Sequence, residues 1–176
     1  MKKILITGGT GFLGKELAMK LKSSNEVILG SRNNGLNRLA AEITGCETIP
    51  LDITSLESVK DAVSRYKPEI IIHAAATKYV DLSEKQPFEC IDVNVLGSSN
   101  LARVAIDNKV KNVIAISTDK TAPPVDNTYG ISKALMERLF CSINSNKTKF
   151  ACVRFGNIAW STGSVFPIWE KMMKEK

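Results

Sequence analysis

Tyr129 and Lys133 stand four residues apart in Thr128–Asn144, a stretch whose pattern predicts a helix, so both fall on one helix face. An ammonium beside a phenol favours the phenolate and draws an ordinary pKa of about 10 towards neutrality. Tyr129 would then accept a proton from a hydroxyl whose carbon gives up a hydride. On a solvated helix the same spacing is only a surface pattern, so its companions decide its weight. One is Ser117-Thr118-Asp119-Lys120, which sets hydroxyls, a carboxylate and an ammonium directly after the apolar run Val113–Ile116. Asp119 and Lys120 suit an acid and base working together, or a surface ion pair worth little.

The second companion lies at the amino terminus. Ile4–Thr7 reads as a short strand, and Gly8, Gly11 and Gly14 follow at a spacing of three. Leu13, Leu17 and Leu21 then recur every fourth residue, which is helical. A glycine turn between strand and helix collects backbone N–H groups from Gly8 through Phe12 and Leu13 to Gly14, at the positive end of a helix dipole. That is a site for a pyrophosphate, and the G-x-x-G-x-x-G spacing is a variant of the dinucleotide fingerprint. A nicotinamide dinucleotide would supply the hydride acceptor that Tyr129 needs, and Lys133 would bond its ribose. After the second strand the chain reads Ser31-Arg32-Asn33, where an acidic residue would meet a ribose 2′-hydroxyl and an Arg a 2′-phosphate. Ser31 and Arg32 therefore favour NADP over NAD, with a solvated surface arginine as the plain alternative. Asp52 suits the adenine edge or a cap on the following helix. Ala74-Ala75-Ala76 would let backbone lie against a flat cofactor. His73, the only histidine, sits at an apolar strand end and reads as structural.

These groups need a scaffold that brings strand ends together. Strands are predicted at Lys3–Thr7, Glu26–Gly30, Glu47–Leu51, Ile70–His73, Asn112–Ser117 and Phe150–Phe155. Helices are predicted at Gly11–Ser23, Asn34–Thr44, Ser55–Tyr66, Pro87–Asn108 and Thr128–Asn144. The alternation predicts an α/β fold of the Rossmann type: a doubly wound parallel sheet with helices on both faces, ligands lying beyond the carboxyl ends of the strands. A length of 176 residues suits one domain. No apolar stretch approaches the roughly 20 residues of a membrane span. The scattered cysteines, with no C-x-x-C pair and a single His, argue against a metal site and for reduced thiols in a cytoplasm. The charge of +6 is spread rather than clustered, so an anionic nucleotide explains it better than nucleic acid does.

The glycine motif with Tyr129-x-x-x-Lys133 resembles the extended short-chain dehydrogenase/reductase superfamily. Ala75-Ala76-Thr77-Lys78-Tyr79-Val80, Asn94-Val95-Leu96-Gly97, Ser117-Thr118-Asp119-Lys120 and Val153-Arg154-Phe155-Gly156-Asn157 resemble its bacterial polysaccharide-biosynthesis branch. That branch holds UDP-N-acetylglucosamine 4,6-dehydratases and sugar epimerases, and the resemblance covers essentially all of the chain. It implies NADP-dependent dehydration of a UDP-sugar through a 4-ketone. Tyr129 would take the C4 hydroxyl proton, Thr118 would bond the 4-oxygen, Lys120 would remove the C5 proton and Asp119 would protonate the departing C6 hydroxyl. Those roles require a protonated Asp119 and a neutral Lys120. Asn157 matches a residue that contacts the sugar-nucleotide diphosphate, or caps a turn; Lys78 meets substrate oxygens, or is merely exposed. Asn94 would hold a water or a backbone carbonyl near the site. Relatives commonly assemble through helices, which makes a homo-oligomer an expectation. They also continue well beyond this length, so residues 157–176 are expected to begin a substrate-binding part. A UDP-sugar 4-epimerase and a non-catalytic NADP-binding fragment are the alternatives.

Overall fold

Six strands form one wholly parallel sheet: β1 (Lys2–Thr7), β2 (Asn25–Ser31), β3 (Glu47–Pro50), β4 (Ile70–His73), β5 (Asn112–Thr118) and β6 (Lys149–Phe155), in the order β3-β2-β1-β4-β5-β6. The computed structural model describes residues 1–123, 125–161 and 164–175, so Thr162, Gly163 and Lys176 of the expected C-terminal part lie outside the described residues. The strand order reverses between β1 and β4, and that crevice is where an open α/β sheet takes its ligand. Alternate strand residues feed two cores. Leu5, Ile28, Ile71 and Val113 pack with Val59, Leu101, Met136 and Phe140 on one face, while Ile4, Ile6, Leu29 and Ile72 pack with Ala18 and Ala40 on the other. Burial on both sides explains why these strands read as continuous apolar runs.

The helices are α1 (Phe12–Leu21), α2 (Asn34–Thr44), α3 (Leu56–Tyr66), α4 (Val80–Lys85), α5 (Pro87–Ile91), α6 (Ser98–Asp107), α7 (Thr128–Ser142) and α8 (Val165–Lys174). Asn33, Ser55 and Asn127 cap α2, α3 and α7 through side-chain oxygens that accept from Leu36, Ser58 and Gly130 N–H groups. The Pro87–Asn108 expectation needs correcting. A π-helical turn at Asp92–Gly97 separates α5 from α6, so the stretch is not one regular helix. A 3.6-residue apolar rhythm does not register the single extra residue of such a turn. Two helices escaped prediction. α4 is too short for periodicity to show, and α8 carries Pro167, which is tolerated in a first turn. α8 has no buried residue and exposes Phe166, Trp169 and Met172. Among the described residues, no helix is long and apolar enough to cross a membrane.

Candidate functional site

The carboxyl ends of the strands frame an open cleft of about 870 Å³. Its floor at one end is the turn from β1 into α1. Gly8 has φ +67°, and a Cβ there would lie 2.7 Å from the Ala75 backbone, so only glycine lets the turn press against the strand end of β4. A Cβ on Gly14 would fall 2.5 Å from Gly9 Cα, which fixes how closely α1 seats on the loop before it. Gly9 itself meets the same limit, 2.8 Å from Ile6 O, and the G-x-x-G-x-x-G pattern left it out. α1 has no side-chain cap and no acidic residue in its first turn. Its leading amides therefore face the cleft with neither a competing acceptor nor a repelling charge, the arrangement that takes a phosphate.

Gly8, Gly11, Phe12, Leu13 and Gly14 line this end of the cleft, with Ser31 and Arg32 beyond them and Ala74, Ala75 and Ala76 along one wall. Arg32 Nη2 makes an ion pair with Glu89 Oε1 at 3.2 Å, and Ser31 Oγ donates to Asn37 Oδ1 at 2.8 Å. Asp52 is not among the lining residues. Its Oδ1 accepts from Thr54 N–H and Oγ1 at 2.9 and 2.8 Å, so this carboxylate braces the turn ahead of α3, whose cap is Ser55.

Thr118, Lys120, Tyr129, Lys133, Lys78 and Asn157 line the other end. Tyr129 is held above the usual phenol range, chiefly by burial; a Thr118 hydrogen bond pulls the opposite way, and the Asp119 charge adds to the rise. The lowered phenol expected from Lys133 is thus not what this chain shows, because burial outweighs the pull in the opposite direction. Lys133 is 2% exposed, and its Nζ donates to the Met136 thioether at 3.4 Å, a weak acceptor. Burial brings its pKa down to about 8. A buried ammonium with so poor a partner is the orphan that ribose hydroxyls would satisfy. The depressed folded-state value carries a sign. Between about pH 8 and 10.5 the unfolded chain holds a proton that the folded one has released, so Lys133 makes stability rise with pH there. In urea titrations the difference between the protein and Lys133→Met should change by on the order of 2–3 kcal/mol across that window. A flat difference would mean that Lys133 is solvated.

Asp119 departs from expectation. It lies beside the cleft rather than lining it, 57% exposed, and its carboxyl is held below the usual range by hydrogen bonds from Thr118 and Lys120. Lys120 Nζ reaches Asp119 Oδ1 at 3.3 Å and Asn157 Oδ1 at 3.5 Å. The acid-and-base roles expected of the pair need a protonated Asp119, and the hydrogen bonds from Thr118 and Lys120 outweigh the slight desolvation that would favour it. Lys78 lies over the Tyr79 ring at 5.2 Å, with desolvation lowering its pKa.

The supports behind these groups were mostly missed in sequence. Asn94, presented by the π-helical turn, donates to Thr77 O at 3.1 Å and to Ser132 Oγ at 3.0 Å, and accepts from Thr77 N–H at 3.0 Å. It pins the loop after β4 to the turn of α7 between Tyr129 and Lys133. The expected backbone carbonyl is that of Thr77. Glu137 accepts from Arg154 at 2.9 and 2.7 Å and from Thr121 at 3.4 Å, tying α7 to β6 and to the turn that carries Asp119 and Lys120. His73 is fully buried between Thr7 Oγ1 at 2.7 Å and Ser98 Oγ at 2.9 Å. Burial drives its pKa to about 3, so it is a neutral brace and not an acid. As it is the only histidine, its proton resonances should not shift between pH 8 and 4.5; a midpoint near 6.5 would place it in water. Because the unfolded imidazole protonates first, stability should fall as pH drops from about 6.5. Among the described residues, no cluster of His, Cys, Asp or Glu could hold a metal.

The pattern that defines the polysaccharide biosynthesis protein family matches residues 4–176. The chain belongs to that family. It is 36% identical over 183 residues to a UDP-N-acetylglucosamine 4,6-dehydratase (inverting) of Campylobacter jejuni, covering 99% of this chain and 54% of that protein. It is also 36% identical over 187 residues to a UDP-glucose 4-epimerase of Rickettsia bellii, with the same shares covered. The crystal structure of Pen from Bacillus thuringiensis superposes with a TM-score of 0.91 at 35% identity, covering 99% of this chain and 56% of that one. The chain thus spans about half the length of these relatives, and it carries the glycine turn, the Tyr129–Lys133 pair and the Thr118–Lys120 turn. Its homologues include nucleotide-sugar dehydratases and epimerases.

Proposed function

We propose that this chain forms the nucleotide-binding and hydride-transfer part of an NADP-dependent UDP-sugar 4,6-dehydratase, acting on a UDP-N-acetylglucosamine type of substrate in cytoplasmic polysaccharide or glycan synthesis. One observation carries the reading: the uncapped glycine turn and the Tyr129–Lys133 pair open into the same cleft, at the two ends a dinucleotide would span. The Gly8–Gly14 turn holds the pyrophosphate, Arg32 meets a 2′-phosphate, the Ala74–Ala76 backbone backs the ring and Lys133 bonds the ribose. When bound, the nicotinamide supplies an acceptor for hydride from C4 and a donor back to C6.

Tyr129 takes the C4 hydroxyl proton. Its high pKa in the free chain is set chiefly by burial, so a positive ring nearby would favour the phenolate at the moment it is needed. Thr118 orients the 4-oxygen. A sugar covering the Asp119–Lys120 pair would desolvate both charges and favour passage of the Lys120 proton to Asp119, leaving a neutral amine for the C5 proton and a protonated acid for the C6 hydroxyl. Asn157 and Lys78, which line the cleft, would meet substrate oxygens, and residues 157–176 would begin the substrate-binding part. Four free cysteines accord with a reducing compartment.

A 4-epimerase needs the Tyr–Lys pair but no eliminating acid and base, and the exposed Asp119–Lys120 pair favours it. Incubation with UDP-N-acetylglucosamine and NADP, followed by chromatography that resolves epimers coupled to mass spectrometry, separates the two. Loss of one water supports dehydration, an isobaric new sugar supports epimerisation, and an unchanged sugar with bound nucleotide contradicts both.

A further inference from the structure

We propose that Glu89 is a specificity-determining residue at the adenosine end of the cleft, holding Arg32 in an ion pair that a 2′-phosphate must break and a 2′-hydroxyl need not. The inference rests on the dinucleotide reading above. In sequence, the end of β2 offers Ser31-Arg32-Asn33 and no acidic residue, which by itself argues for a 2′-phosphate. In space a carboxylate is nevertheless there. Glu89 comes from α5, 57 residues further on, lines the same cleft as Arg32 and reaches it at 3.2 Å. The chain thus provides from a different element the acidic group that the β2 end lacks.

The consequence follows from charge. Arg32 and Glu89 are 53% and 45% exposed, so their pair contributes little to stability and opens easily. A phosphate arriving at Arg32 must either displace the Glu89 carboxylate or share one guanidinium with it. Sharing places two anions around a single cation, which weakens the hold on the phosphate. A ribose 2′-hydroxyl has no such conflict, because Glu89 is a ready acceptor for its proton. Glu89 therefore pulls a site that Arg32 would make strict for NADP back towards accepting both dinucleotides.

Titration of the protein, Glu89→Gln and Glu89→Ala with NADPH and with NADH, each followed by nicotinamide fluorescence, measures this directly. Both variants should bind NADPH about three- to tenfold more tightly than the parent and NADH no better, the range expected for releasing one exposed carboxylate from an arginine. NADH binding by the same variants shows that the cleft is intact. An NADPH-to-NADH affinity ratio that stays within about twofold of the parent's would overturn the role of Glu89 and leave the dinucleotide reading standing. If the parent protein bound neither nucleotide, that reading and this inference would fall together.

Discussion

Replacing Tyr129 by Phe should lower turnover of the UDP-sugar by about 10²- to 10⁴-fold, the usual contribution of a positioned acid–base group. Nucleotide affinity should hardly change, since the phenol ring and its packing remain and only the hydroxyl is lost. Single-turnover absorbance of the reduced nicotinamide reads the chemistry, and fluorescence titration reads the binding. The two should part company. A comparable loss of affinity would make Tyr129 a binding residue instead, and undiminished reduction would remove it from the chemistry. Lys133→Met should behave differently, weakening binding as well as turnover, because among the described residues Lys133 has only the Met136 thioether to leave behind.

Gly14→Val should lower nucleotide affinity by about 10- to 100-fold, the worth of one or two charge-assisted bonds to a phosphate. The cause is steric. The first added carbon already falls 2.5 Å from Gly9 Cα and O, and backbone cannot swing aside as a side-chain tip can. The forced shift of α1 should also cost about 1–3 kcal/mol of stability in urea denaturation. Gly11→Ala separates the two effects. Its Cβ would meet only Gly8 O, at 3.2 Å, so the fold should hold while the approach of a phosphate suffers. Equal damage to stability from both variants would show that the turn is built for packing and not for an anion.

How far the sequence carried the reading depends on the kind of information each feature needs. Three of the strands were legible because Ile4–Thr7 is buried on both faces and Ile70–His73 and Val113–Ile116 are buried or half-buried throughout, which leaves an unbroken apolar run. The glycine turn and the Tyr129–Lys133 spacing are local patterns, and local patterns survive in one dimension. What failed was long-range or electrostatic. The sequence left open whether Asn94 holds a water or a carbonyl, and only the π-helical turn that brings it against Thr77 and Ser132 identifies the partners. Glu89 and Arg32 meet only because β2 and α5 border one crevice. The direction of the Tyr129 shift was misjudged because helical spacing places Lys133 nearby but says nothing of the water that burial removes from both. For Asp119 and Lys120 the sequence left an acid–base pair and a surface ion pair both open, and the Asp119 side chain stands in solvent.

The most direct measurement is a crystal structure of the chain grown with NADP. The pyrophosphate is expected within hydrogen-bonding distance of the amides at the start of α1, the ribose hydroxyls at Lys133 Nζ in place of the Met136 thioether, and the nicotinamide ring against Tyr129. A dinucleotide bound elsewhere with the Gly8–Gly14 turn bare, or a nicotinamide pointing away from Tyr129 while Lys133 keeps its thioether partner, would contradict the assignment of the cleft.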